Sequence, residues 1–85
     1  MSKITLYHFE SCPACFKAKQ YMAELKQEKP ELAHVQVELV DVRKNPGFKS
    51  PAPFYYVPTF FVDERKALEG NVSKEEVEQI LWAGV

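Results

Sequence analysis

Apolar positions along the chain recur at two periods. From Lys3 to Phe9 they alternate, with Ile4 and Leu6 on one face and Thr5 and Tyr7 on the other. Both faces are largely apolar, which predicts an interior strand covered on two sides. From Ala14 to about Glu28 the period lengthens. Cys15, Ala18, Met22 and Leu25 fall at steps of three and four, and Lys17, Gln20, Glu24 and Gln27 lie elsewhere. That is the stripe of an amphipathic helix. Pro30 ends it, and Lys26 and Lys29 suit its carboxyl end. Val35, Val37 and Leu39 then alternate with Gln36 and Glu38, predicting a second strand to about Val42. Two strands joined through a helix are expected to run parallel, as a right-handed βαβ unit.

Residues 43–56 carry Pro46, Pro51 and Pro53. The prolines leave room for one helical turn at most, followed by loop. Thr59 to Val62 reads as a compact strand, Asp63-Glu64-Arg65-Lys66 as a turn, and Ala67 to Glu69 as a short returning strand. Gly70 breaks the pattern. Ser73 opens a capping box with Glu76, Val72 can staple against Val77, and Val77, Ile80 and Leu81 stripe a last helix. The expected fold is one α/β domain over residues 1–85: a mixed four-stranded sheet with flanking helices.

Eighty-five residues, 46% hydrophobic and 13% aromatic, can build a core without cross-links. The net charge of −1 gives no reason to expect nucleic acid or an anionic membrane as partner. No apolar run approaches 18 residues, so no membrane span is expected. Met1-Ser2-Lys3 leads straight into Ile4-Thr5-Leu6-Tyr7, which is too strand-like for a secretory signal. The expectation is a cytoplasmic monomer. In that compartment a cysteine pair points to catalysis, redox sensing or metal more than to a structural bridge.

Cys12-Pro13-Ala14-Cys15 holds the only two cysteines, at the start of the predicted first helix. Ser11 or Cys12 would cap that helix, and Pro13 near its first position loses nothing by lacking an N–H. Unpaired N–H groups and the helix dipole favour an anion at Cys12. Cys15, one turn in, lies on the apolar stripe, where a charge is disfavoured. Lys17, Lys19 and His8 are candidate neighbours. This arrangement is suited to thiol–disulfide exchange, with Cys12 attacking and Cys15 resolving. A single-chain zinc site is disfavoured, since it needs about four ligands and the chain has two cysteines and two histidines. A metal or cluster shared through Cys12 between two copies of the chain stays open as an alternative.

With Val57-Pro58-Thr59 at the head of the third strand, the chain resembles the thioredoxin-like superfamily, and within it the glutaredoxins. The starting strand, the Cys-Pro-X-Cys, the Val-Pro-Thr and Gly70 before the last helix stand in family order. The resemblance implies a thioredoxin-like, glutaredoxin-type sheet with its second helix shortened or lost, a cis bond before Pro58, and Val57 offering its backbone to substrate. It also implies that Gly70, Asn71 and Ser73 lie where glutathione is gripped, although Ser73 reads first as a helix cap. Lys17 joins them as a candidate binding residue. Tyr55, with Phe9, Tyr56 and Val57, is a candidate for an apolar rim around Cys12. No tightly bound cofactor is implied. Glutathione is the implied co-substrate, and disulfide-containing proteins are the implied partners. Phe9 stands where the family often has lysine, Ala14 where it often has tyrosine, and Glu69-Gly70 where it has paired glycines. A thioredoxin-like dithiol donor, recharged by a flavoprotein reductase, is the alternative enzyme.

Overall fold

The computed structural model of the chain describes residues 2–85. Its elements are β1 (Ile4–His8), α1 (Pro13–Glu28), a 3-10 turn (Pro30–Leu32), β2 (Val37–Asp41), β3 (Thr59–Val62), β4 (Arg65–Glu69) and α2 (Lys74–Trp82). The strands form one mixed sheet in the order β2-β1-β3-β4. β1 pairs in parallel with β2, aligning Leu6 with Leu39 and His8 with Asp41. β3 runs antiparallel to both β1 and β4.

Both helices lie on one face of the sheet. Ile4 and Leu6 of β1, Phe60 of β3, Ala18, Met22 and Leu25 of α1, and Val77, Ile80 and Leu81 of α2 share a single buried cluster. Ile4, Leu6, Phe60 and Leu81 have no exposed surface. Each apolar residue on the α1 stripe expected from the sequence is buried, Cys15 included. Truncating a ring such as Phe60 at the centre of this cluster removes about 3–5 kcal/mol of stability.

The opposite face is covered without a helix. Tyr7 meets Phe48 and Phe54 from the connection between β2 and β3, and Phe61 meets Phe54. Tyr7 and Phe54 have ring centroids 4.9 Å apart, tilted by 41°. The Tyr7 hydroxyl donates to the Lys49 carbonyl at 3.4 Å. Prolines exclude a helix from this connection, and ring-to-ring packing takes its place.

Two element boundaries differ from the sequence expectation. β2 starts at Val37, two residues later than the Val35 alternation suggested, and Leu39 is 51% exposed. β2 is an edge strand, where helix cover runs out. The final hairpin turns on Asp63 and Glu64 alone, so Arg65 and Lys66 belong to β4. Asp63 adopts φ +55°, a left-handed conformation that aspartate tolerates in turns. It accepts the Lys3 N–H at 2.9 Å. Charged side chains are normal on an exposed edge strand, so Arg65-Lys66 was turn-like in composition only.

Candidate functional site

The first turn of α1 directs one backbone N–H at the Cys12 sulfur. Cys12 is the N-cap residue, with extended backbone (φ −89°, ψ 115°), and Pro13 follows at the first helical position. A cap side chain ordinarily supplies an oxygen to the first free N–H groups. Here the Cys12 Sγ does so, accepting the Cys15 N–H at 3.2 Å. The Cys12 carbonyl accepts the Phe16 N–H at 3.0 Å, and the Cys12 N–H donates to the Phe9 carbonyl at 3.3 Å. Both thiols are free of any disulfide.

Across from this turn, the Val57 carbonyl lies 3.8 Å from the Cys12 Sγ. The Val57–Pro58 peptide is cis. The Pro58 carbonyl in turn accepts the Gly70 N–H at 2.9 Å. Gly70 has φ +87°, a backbone conformation that a Cβ disfavours. Cys12, Val57, Pro58 and Gly70, far apart in sequence, therefore form one contiguous track. Cys12 is more covered than a residue at a helix mouth suggests, 8% exposed against 1% for Cys15. The Val57 carbonyl contributes to that cover.

The two thiols differ in surroundings. Burial, reinforced by the contact with Cys12, pushes the Cys15 thiol up to about 12, against the opposing pull of the Phe9 N–H and the Lys19 charge. Cys15 is therefore held as a neutral thiol. His8 is 6% exposed, and its Nδ1 has no hydrogen-bond partner. Burial, then the Lys19 charge, push the His8 imidazole below its ordinary range, against the pull of Asp41 and Glu10. It is neutral at pH 7.

The remaining sequence candidates divide. Ser73 is the N-cap of α2 and completes the capping box. Its hydroxyl accepts the Glu76 N–H at 3.1 Å, and the Glu76 carboxylate accepts the Ser73 N–H at 2.9 Å. The mouth of α2 is thus already occupied by a carboxylate of the chain itself. Asn71 and Lys17 are exposed, and Lys17 makes no ion pair among the described residues. Tyr55 and Tyr56 are 85% and 71% exposed, and Phe16 in the first turn of α1 is 67% exposed. Phe9 is half-buried, with the Arg43 guanidinium 3.9 Å over its ring. Arg43 also donates to the Ser11 hydroxyl at 3.1 Å.

Two residues at the site were not singled out from sequence, Arg43 and Glu69. The Glu69 carboxylate accepts the N–H groups of both Tyr55 and Tyr56. Its replacement of an expected glycine was the only sequence signal. A concavity of about 1440 Å³ opens on the far face of the sheet, between the aromatic connection and the final hairpin, and includes none of the predicted site residues. Among the described residues no group of three or more histidine, cysteine or acidic side chains could hold a metal ion. No helix is long and apolar enough to cross a membrane. A scan against protein-family models and a search of curated proteins both find no match for this chain.

Proposed function

We propose that this chain is a glutaredoxin-like thiol–disulfide oxidoreductase of the thioredoxin-like superfamily, acting in the cytoplasm. The observation that carries the reading is the unequal cysteine pair. Cys12 caps the helix with its sulfur beneath the Val57 carbonyl, while Cys15 is sealed one turn in. The element order, with two helices on one face of a β2-β1-β3-β4 sheet, supports the superfamily assignment.

The reaction follows from the two environments. The Cys12 thiolate attacks one sulfur of a substrate disulfide. That S–S bond breaks, and the departing sulfur leaves as a thiolate that takes a proton from solvent. Cys15 then gives up its proton and attacks the Cys12 sulfur of the mixed disulfide. The second substrate sulfur leaves, and a Cys12–Cys15 disulfide remains. The protein has lost two electrons and the substrate has gained them. Glutathione or a flavoprotein reductase restores the dithiol.

The deciding experiment compares wild type with Cys15→Ser on a glutathione mixed disulfide. Glutaredoxin chemistry on that substrate needs only Cys12, so the variant keeps its turnover. If both proteins are inactive there while a thioredoxin reductase recharges wild type, the chain is a thioredoxin-like donor. The acidic mouth of α2, filled by Glu76, favours that second reading over a glutathione carboxylate docked there. Iron bound to anaerobically purified protein, without turnover, would replace both with a cluster-binding module.

A further inference from the structure

β4 reaches across to the segment that precedes Pro58 and holds it at three points. Glu69 Oε2 accepts the Tyr55 N–H at 2.5 Å and the Tyr56 N–H at 2.9 Å. Glu69 Oε1 pairs with Lys66 Nζ at 2.7 Å, and the same ammonium donates to the Pro53 carbonyl at 3.3 Å. The Tyr56 carbonyl is taken by the Thr59 hydroxyl. Lys66 foremost, then the two amides, hold the Glu69 carboxyl down at about 2, so the holder is ionised throughout the physiological range.

With the Tyr55 and Tyr56 N–H groups and the Pro53 and Tyr56 carbonyls taken, the segment presents its two tyrosine rings to solvent. These are the most exposed large apolar side chains of the described residues. Exposed aromatic rings on a fixed backbone bind at low entropic cost, because little is left to order. They continue directly into Val57, whose carbonyl sits over the Cys12 sulfur.

The geometry points to Glu69, with Lys66, as the positioning pair that fixes residues 55–57 as a rigid docking edge for the polypeptide flanking a substrate disulfide. This rests on the redox reading above. The occupant is an extended stretch of protein bearing apolar side chains beside its cystine. A small anionic thiol would leave both rings uncovered.

The test uses insulin as the protein disulfide and hydroxyethyl disulfide as the small one, with wild type, Glu69→Ala, Glu69→Gln and Lys66→Ala. In Glu69→Ala the KM for insulin rises about tenfold, and kcat/KM falls about tenfold more for insulin than for the small disulfide. The Tyr55 and Tyr56 amides lose protection from hydrogen exchange. Glu69→Gln, which keeps an acceptor oxygen, recovers part of both effects. Lys66→Ala gives a milder form and serves if Glu69→Ala fails to fold. Equal losses on both substrates, or an unchanged insulin KM, would overturn the positioning role. Wild type inactive on both substrates would instead overturn the redox reading, while amide exchange would still report whether the holder exists.

Discussion

The backbone N–H of Cys15 donates to the sulfur of Cys12 at 3.2 Å, so the buried thiol's own amide serves the outer one. The two cysteines are thereby coupled before any substrate arrives, and substitution of either is expected to show it.

On the proposed redox reading, Cys12→Ser lowers thiol–disulfide exchange by about a thousandfold or more, since it would replace the attacking atom itself. Cys15→Ser instead stops the second step on protein disulfides. The variant accumulates as a covalent adduct with its substrate, visible as an added mass that a reductant removes. A Cys12→Ser protein that still turned over at the wild-type rate would end the assignment of roles.

Cys15 ties stability to alkaline pH. Its ordinary value of 9.0 is raised to about 12 in the fold, chiefly by burial. A group whose value is raised on folding binds its proton more tightly in the native state. Its contribution is complete below about pH 9 and is lost as the pH climbs toward about 12. The urea midpoint of the reduced protein therefore falls over that window, and falls less in Cys15→Ala. Parallel profiles for the two proteins would contradict this.

His8 acts at the other end of the scale. Its imidazole is pushed below the ordinary 6.5 by burial first and by Lys19 second, with Asp41 and Glu10 pulling back and Lys44 adding to the fall. The unfolded chain therefore takes up a proton that the native state resists. Stability drops as the pH falls below about 6.5 toward the lowered native value. His8→Asn removes this component, so its stability is flatter with pH in that window. Asp41 is a separate contributor at lower pH. Burial raises its carboxyl, but N–H groups of Lys44 and Arg43 outweigh that and hold it below its usual range. Its contribution is lost as pH falls below the ordinary 3.8 through that lowered value.

At the start of α2, Ser73→Ala removes the acceptor for the Glu76 amide and breaks the capping box. The expected loss is about 1 kcal/mol of stability, read by chemical denaturation. A loss near zero would mean that the box contributes nothing to the fold.

Local signals were the legible ones. Pro13 after Cys12, the step-of-three-and-four stripe in α1 and the Ser73/Glu76 box are each written within one or two turns of chain, and each stands in the structure as read. The parallel pairing of β1 with β2 and the β3–β4 hairpin were legible from the βαβ rule and the turn, whereas the side of β1 on which the hairpin docks was not. What could not be read depends on long-range contact. Arg65 and Lys66 have turn-like composition, and only their pairing with Val62 and Phe61 makes them strand residues. Phe48 and Phe54 follow no period, so their packing on Tyr7 had no signature within the proline-rich connection. Glu69 lies 13 and 14 residues from the amides it holds. At the candidate site, the cysteine pair was visible because its spacing is local, whereas the cover over Cys12 comes from a segment 45 residues away.

The rings that roof the far side of the sheet belong to the same stretch of chain that ends over the Cys12 sulfur. Phe54 leans on Tyr7 and Phe61, and three residues later Val57 meets the thiol. The roof and the cover over the Cys12 sulfur thus belong to one segment. The Tyr55 and Tyr56 amides clamped by Glu69 lie between Phe54 and Val57, so a disturbance of the roof is absorbed at that clamp before it reaches the carbonyl above residue 12.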